Sequence, residues 1–365
     1  MNPAILVRMR PMHLAPAPGE APTDLLSDPL MAVPPPDLPL ADVHDVLARA
    51  YGLSGKLVPL GGERDRNFRL TPSGEAPVLV KFAHPEESAG ITNFQTEALL
   101  HLEAADPTLP VPRMRRSRDG ATSVRHPLRD GRHSLLRVLS FLPGQPMPPG
   151  ADAAGGQAHA LGMLTARLDR ALEGFAHAAD RRRLLWDLRE APGLRPLLDE
   201  VADPALRDLA AAALARFEAE AAPLLARLPT QVIHNDLNPH NVLVDPEDSG
   251  RLTGIIDFGD MVRAPRLQEI ATTAAYLLRA GNAPFAGPAA FLAGYRRVLP
   301  VPPAEAAMLP ALIATRMTMT VLITSWRARR QPENAAYILR NVPGARAGLE
   351  SLARLPLTAL LPDEE

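Results

Sequence analysis

The residues of this sequence best suited to chemistry lie in one polar stretch between two apolar runs. His234, Asp236 and Asn241 occupy that stretch, and Asp257 follows in a second polar segment after a short turn. Apolar runs joined by a turn are typical of two antiparallel strands. Such a pair of strands would bring Asp257 back beside Asn241 and Asp236, so we expect these three side chains to form one site.

This set of side chains suits phosphoryl transfer. The reaction needs an aspartate that receives the proton of the acceptor hydroxyl, together with an asparagine and a second aspartate that hold Mg²⁺. We therefore predict Asp236 and Asn241 as catalytic residues, Asn241 and Asp257 as ligands of Mg²⁺, and His234 as a support of the loop. The alternative is a metal site made of His234, His240 and Asp236. That alternative lacks the His-Glu-x-x-His spacing of zinc proteases and leaves Asn241 and Asp257 unexplained.

The spacing His234-x-Asp236-x-x-x-x-Asn241, followed by Ile-Asp-Phe-Gly-Asp at 256–260, resembles the aminoglycoside phosphotransferase family of small-molecule kinases. Within that family, both motifs look most similar to the hydroxylysine kinase branch. The likeness extends over about residues 41 to 340. One departure is Asn235, where the family usually has glycine, and we expect the loop backbone to be slightly reset there.

The resemblance implies an α+β fold with two lobes, like that of protein kinases. A small antiparallel sheet with one helix, over residues 41–142, would form the N-lobe. Residues 143–365 would form a larger, mainly helical C-lobe that carries the catalytic and metal-binding loops. The change from strand-rich to helix-rich sequence at Pro143-Gly144 marks the expected boundary. Residues 1–40 are rich in proline and alanine without periodicity and are predicted to be a disordered leader.

Composition excludes several classes of function. The chain has 365 residues, 46% of them hydrophobic, which is enough for two packed units. It contains no cysteine, so disulfides and thiolate metal sites are excluded. Its net charge of −2 argues against binding to nucleic acids or anionic membranes. Arg316 interrupts the longest apolar stretch and the N-terminus has no apolar signal-peptide core, so we predict a soluble, cytoplasmic protein without a membrane span. The sequence indicates no protein partner.

Lys81 is the expected phosphate ligand. It lies in the β-prone run 78–82 and is one of two lysines in the chain. By itself it could be an edge-strand lysine that reaches solvent, but in kinase-like folds this lysine binds the α- and β-phosphates and pairs with a glutamate of the next helix. We predict that helix roughly over 86–103. Its periodicity does not choose between Glu87 and Glu97, and the resemblance favours Glu97.

The resemblance also implies the remaining nucleotide contacts. Gly61 and Gly62 would let the backbone approach the phosphates, although a plain hairpin turn has the same composition. The segment 62–68 resembles the loop that covers the nucleotide. The segment 137–144 resembles the hinge, where main-chain groups such as those of Ser140 and Leu142 bind the purine ring. The donor is expected to be ATP or GTP.

The acceptor implied by the resemblance is an amino alcohol or hydroxy amino acid, with 5-hydroxylysine as the leading candidate. Asp260 is predicted to bind a substrate ammonium group, and Glu269 to be structural. Arg316 is flanked by apolar residues, so it needs an anionic partner, either a substrate carboxylate or an acid of the C-lobe. The alternatives are a kinase for another small alcohol (an aminoglycoside, homoserine, choline or ethanolamine) and a nucleotide-binding regulatory module without turnover.

Overall fold

The computed structural model describes residues 26, 34–62, 64–148, 156–278 and 283–354, so most of the predicted leader lies outside the described residues. The first helix, α1 (Leu40–Tyr51), buries Val43, Val46 and Leu47. It ends at Gly52, whose φ of 68° lies in the left-handed region that glycine adopts without strain.

One antiparallel sheet dominates the N-terminal part of the chain. Its strand order is β1-β2-β3-β6-β4, and β5 also pairs with β6. The strands are β1 (Gly55–Leu60), β2 (Arg66–Pro72), β3 (Val78–Phe82), β4 (Met114–Arg115), β5 (Val124–Pro127) and β6 (His133–Ser140). Apolar side chains of α1 and of this sheet, including Leu47, Phe68, Val80 and Val138, form the core of the N-lobe.

Helix α2 (Ala89–Ala105) follows β3 and lies between the two lobes. It begins after Ser88, whose Oγ accepts a hydrogen bond from the Gly90 N–H at 3.2 Å. The helix therefore starts later than the sequence predicts, and Glu87 lies in the turn before it. Phe94 of α2 shares an apolar cluster with Leu168 and Ile255 of the following lobe.

The C-terminal part is mainly helical. Its helices are α3 (Gly156–Ala171), α4 (Pro204–Arg216), α5 (Ala222–Leu225), α6 (Arg266–Ala275), α7 (Ala286–Arg296), α8 (Pro303–Ala306), α9 (Leu309–Arg330), α10 (Ala335–Ile338) and α11 (Val342–Arg354), with a 3₁₀ segment at Leu188–Glu200. A π-helical segment at Phe217–Ala221 connects α4 directly to α5. This part of the chain is the larger lobe of the predicted α+β architecture.

In the described part of this lobe, five short strands support the polar loops. They are β7 (Gln145–Pro146), β8 (Thr230–Ile233), β9 (Val242–Val244), β10 (Leu252–Ile255) and β11 (Val262–Pro265). They form a sheet of order β10-β9-β7 and a separate β11-β8 pair. Because β6 ends the first sheet and β7 already pairs with β9, we propose the lobe boundary after residue 142.

Helix α9 runs through the centre of the C-lobe. The segment Pro303–Arg330 is long and apolar enough to cross a membrane, but 94% of its most apolar window is buried inside the protein. This burial is typical of the core helix of a soluble protein. Arg316, in the middle of α9, is 2% exposed.

Two glycines allow α3 and α7 to pack closely, and this contact yields a stability prediction. A Cβ at Gly162 would collide with the main-chain oxygen of Phe291, and one at Gly294 with that of His159. We expect Gly162→Ala to lower the free energy of unfolding by about 1–3 kcal/mol, because the backbones cannot separate without losing packing. Equilibrium urea unfolding measures the change.

Gly344 in α11 provides the matched control. No heavy atom of a neighbouring element lies within 4 Å of a Cβ built there. Gly344→Ala should therefore stabilise the protein by up to about 1 kcal/mol through helix propensity alone. Equal stability of Gly162→Ala and the wild type would contradict the proposed packing.

Candidate active site

The catalytic loop lies between β8 and β9, and the second polar segment follows β10. Strands β9 and β10 are antiparallel, with Val242 opposite Ile255. The ladder continues through the N–H of Ile256, which donates to the main-chain oxygen of Asn241 at 2.9 Å. Asp257 is thereby brought beside the catalytic loop, and the strand-turn-strand geometry predicted from the sequence is confirmed.

Both carboxylate oxygens of Asp236 are held by neighbouring side chains. Oδ1 accepts a hydrogen bond from Arg316 Nη2 at 3.0 Å. Oδ2 accepts from Asn238 Nδ2 and from Asn241 Nδ2, each at 2.9 Å. Burial raises the pKa of the Asp236 carboxyl above its usual range, the positive charge of Arg316 opposes that shift, and the charge of Asp260 adds to it. A carboxylate with a fixed orientation and a raised pKa is suited to accept a proton near neutral pH.

The side chains of Asn241 and Asp257 fit a hard divalent cation. The Nδ2 group of Asn241 is occupied by two hydrogen bonds to Asp236, one to the carboxylate and one to the main-chain oxygen at 2.9 Å. The amide oxygen of Asn241 therefore points away from Asp236. Asp257 adds a carboxylate that is 56% exposed. Two oxygen ligands, with further positions left for phosphates and water, match what Mg²⁺ prefers.

The alternative metal site is wrong. Among the residues that the structure describes, no group of three histidines, cysteines or acids could hold a metal ion. Both ring nitrogens of His234 are already used, since Nε2 donates to the Ile256 oxygen at 3.1 Å and Nδ1 accepts from the Asp236 N–H at 3.3 Å. His240 is exposed.

These bonds define His234 as a support of the loop, as the sequence predicts. The imidazole is fully buried and packs edge-on against Phe258, with ring centroids 4.8 Å apart. Burial lowers the pKa of His234 to about 4. The ring is therefore a neutral Nε2–H tautomer that joins the segment before Asp257 to the catalytic loop.

Asn235 has a backbone conformation that explains why glycine is usual at this position. Its φ is 68°, in the left-handed region that asparagine tolerates better than most residues. Helix α6 stabilises this conformation, because Asn235 N–H donates to Glu269 Oε2 and Gln268 Nε2 donates to Asn235 Oδ1, both at 2.8 Å. The structural role predicted for Glu269 is confirmed.

Arg316 forms an ion pair inside the protein, and its partner is the catalytic Asp236. The guanidinium also donates to the main-chain oxygen of Trp186 at 3.0 Å and lies over the Trp186 ring, 4.8 Å from its centroid. Because the side chain is only 2% exposed, a substrate carboxylate has no access to it. The assignment of Arg316 to substrate binding is therefore corrected in favour of the internal ion pair. Asp260, half-buried in the turn after Asp257, remains a predicted substrate ligand.

The acidic partners of Lys81 are not the predicted Glu97. Its Nζ lies 3.1 Å from Asp65 Oδ2 and 3.9 Å from Asp257 Oδ1. Glu97 is exposed on the outer face of α2, because Phe94 and Ala98 occupy the inner face. The predicted pairing of Lys81 with Glu97 is therefore wrong.

Sequence reasoning missed Asp65. The only signal was its position in the segment 62–68 that resembles the nucleotide-covering loop. Gly62 is required by that loop, since a Cβ there would collide with the main-chain oxygen of Asp65, whereas Gly61 faces open space. Both glycines remain predicted phosphate contacts.

The two predicted hinge residues, Ser140 and Leu142, differ in the main-chain groups that are free to bind a purine. The N–H of Ser140 donates to the Arg113 oxygen, and Ser140 Oγ accepts from the Arg113 N–H, both at 2.9 Å. Ser140 therefore has no free N–H for a base, and it remains a predicted purine contact through its main-chain oxygen. Leu142 follows the end of β6, its side chain lies against Gly254, and it remains a predicted main-chain contact.

The pKa of His234 gives a testable pH dependence. The ordinary value is 6.5 and the folded value is about 4, so the folded protein binds fewer protons than the unfolded chain between these pH values. The contribution of His234 to stability is complete above pH 6.5 and is lost as the pH falls toward 4, by up to about 3 kcal/mol. An NMR titration should find the assigned ring neutral, with its proton on Nε2, throughout that window. A titration midpoint near 6.5 would contradict the buried geometry.

Comparison with known proteins agrees with this geometry. A family model described as the phosphotransferase enzyme family matches residues 56–308, more than half of the chain. Hydroxylysine kinase from Mus musculus is 27% identical over 311 residues, which are 78% of this chain and 81% of that protein.

Two solved structures share the fold at low sequence identity. An amicoumacin kinase in complex with AMP-PNP and Ca²⁺ gives a TM-score of 0.66 at 18% identity, over 87% of this chain and 96% of that one. A microcompartment-associated aminopropanol kinase gives a TM-score of 0.60 at 18% identity, over 88% and 99% of the two chains. The predicted kinase-like, two-lobed fold is confirmed. The chain thus belongs to the phosphotransferase enzyme family, as its aminoglycoside phosphotransferase motifs indicate, and it is a phosphotransferase that acts on an alcohol group.

Proposed function

We propose that this small-molecule kinase transfers the γ-phosphoryl group of ATP or GTP to the hydroxyl of an amino alcohol or hydroxy amino acid, with 5-hydroxylysine as the leading candidate. The observation that carries the proposal is the fixed carboxylate of Asp236 beside Asn241 and Asp257. A cytoplasmic location is part of the same proposal.

In the proposed reaction, Asp236 receives the proton of the acceptor hydroxyl. The hydroxyl oxygen forms a bond to the γ-phosphorus as the bond from that phosphorus to the β,γ-bridging oxygen breaks, and the nucleoside diphosphate leaves. Arg316 and the amides of Asn238 and Asn241 keep the carboxylate of Asp236 oriented toward the hydroxyl. Most of the rate enhancement then comes from positioning and charge neutralisation, since the transition state of phosphoryl transfer is loose.

The remaining side chains hold the nucleotide and its metal. Asn241 Oδ1 and the carboxylate of Asp257 would hold Mg²⁺, which neutralises phosphate charge when bound. Lys81, on β3, would contact the phosphates as a compact cation. An intact set of Lys81, Asp236, Asn241 and Asp257 argues against a regulatory module without turnover.

The electrostatics of the site favour an acceptor with an ammonium group. Asp257 and Asp260 lie near enough to Asp236 for their charges to influence it. Because Arg316 is buried on Asp236, it would not bind a substrate carboxylate, so the preference for 5-hydroxylysine rests on its ammonium groups. With Asp257 bound to Mg²⁺, the carboxylate of Asp260 would be left to attract an ammonium group of the acceptor. The names of the hydroxylysine kinase and aminopropanol kinase relatives support an amino alcohol in the same way.

An acceptor panel tests this proposal. Purified protein with Mg²⁺ and either ATP or GTP would be assayed for nucleotide consumption with 5-hydroxylysine, aminopropanol, ethanolamine, choline, homoserine and an aminoglycoside. We expect the highest kcat/KM with 5-hydroxylysine. Asp260→Asn should raise the KM for this acceptor about tenfold with little change in kcat, because a charge-assisted hydrogen bond to the ammonium is lost.

Asp248→Asn is the matched control. Asp248 lies exposed in the turn between β9 and β10, and its Oδ1 accepts from the Gly250 N–H, a bond that asparagine can also make. Its KM for every acceptor should equal that of the wild type. An aminoglycoside or choline as the best acceptor would overturn the hydroxylysine assignment, and the absence of turnover with every alcohol would overturn the proposed reaction.

A further inference from the structure

The glutamate predicted to pair with Lys81 lies on the exposed face of α2, and the buried face of this helix carries an amide instead. Gln95 of α2 is buried, and its Oε1 accepts a hydrogen bond from Arg137 Nη2 at 2.8 Å. Arg137 also donates to the main-chain oxygen of Thr92 at 3.3 Å. Helix α2 is thus attached to the sheet by an arginine and a neutral side chain, with no carboxylate directed at Lys81.

Arg137 makes the environment of Lys81 unusually cationic. The two residues are direct cross-strand partners on β3 and β6, so their side chains leave the same face of the sheet. Arg137 is 2% exposed. A carboxylate on α2 would be attracted to this arginine, which has more donors than the lysine ammonium. Lys81 therefore needs a counter-charge from another element.

Asp65 supplies that charge from the loop between β1 and β2. Its Oδ2 lies 3.1 Å from Lys81 Nζ, and the two side chains are only 16% and 17% exposed. Its Oδ1 accepts a hydrogen bond from the His84 N–H at 3.0 Å, which anchors the carboxylate to the segment after β3. The carboxylate is therefore held at both oxygens, one by Lys81 and one by the backbone.

We propose that Asp65 is the positioning residue of Lys81 and replaces the carboxylate that helix α2 lacks. The inference rests on the proposed role of Lys81 in binding the nucleotide phosphates. Lysine has three N–H donors. The contact to Asp65 at 3.1 Å uses one of them, and Asp257 at 3.9 Å is beyond hydrogen-bond distance, so two donors are left for phosphate oxygens. Because Asp65 belongs to the loop that turns at Gly62, the position of Lys81 depends on the conformation of that loop rather than on the position of α2.

A double-mutant cycle between Asp65 and Lys81 tests the proposal. Asp65→Asn preserves the acceptor for the His84 N–H and the size of the side chain, and removes the charge and the acceptor that face Lys81. We expect it to weaken nucleotide binding about tenfold, measured by titration calorimetry, with the KM for the alcohol unchanged. In a Lys81→Met background, Asp65→Asn should have no further effect, because the partner is already absent.

The controls separate this role from a merely structural one. Glu97→Gln, on the exposed face of α2, should bind nucleotide as the wild type does. Asp65→Glu should recover part of the affinity, since it restores the charge, and it provides a second variant if Asp65→Asn folds poorly. Additive effects of Asp65→Asn and Lys81→Met would overturn the proposal, and so would a loss of affinity in Glu97→Gln equal to that in Asp65→Asn. Nucleotide binding needs no acceptor, so this result does not depend on which alcohol is phosphorylated.

Discussion

The active site depends on the two main-chain hydrogen bonds of Ile256. Its N–H donates to the oxygen of Asn241 and its C=O accepts from Nε2 of His234. The first bond extends the β9–β10 ladder to Asn241, and the second joins Ile256 to the side chain of His234, so the residue before Asp257 cannot move without breaking one of them. The neutral, buried imidazole of His234 is essential here, because a protonated ring could not accept the N–H of Asp236 at its second nitrogen.

Two residues of the catalytic loop are held in place by helices of the C-lobe. Helix α9 contributes Arg316 to Asp236, and helix α6 contributes Glu269 to the backbone of Asn235. In the low dielectric of a lobe core, an unpaired charge is costly, so these pairs restrict their partners to one arrangement. The oriented carboxylate of Asp236 is therefore a product of residues far apart in the chain. The buried cations of the N-lobe are also held by other elements, since Arg137 is hydrogen-bonded to α2 and Lys81 forms an ion pair with the β1–β2 loop.

Sequence reasoning was sufficient for features with local signals. Two apolar runs joined by a turn were enough to predict that Asp257 lies beside Asn241. Lys81 could be identified because it is a lone lysine in a β-prone run. The partners of Lys81 and Arg316 depend on contacts between distant segments, which periodicity does not encode. The inner face of α2 carries Gln95, and Glu97 lies on its exposed face, so the glutamate that the resemblance favours is not directed at Lys81. The main-chain N–H of Ser140 is occupied by a neighbouring strand segment, and side-chain identity gives no indication of that bond.

The central claim is that Asp236 receives the acceptor proton and has no direct part in holding the nucleotide. The most direct measurement is the kcat of Asp236→Asn together with its nucleotide dissociation constant. We expect kcat to fall about 10²–10⁴-fold, the usual contribution of a general base, with a nucleotide affinity close to that of the wild type. A kcat near the wild-type value, or a collapse of nucleotide binding in a folded variant, would contradict it.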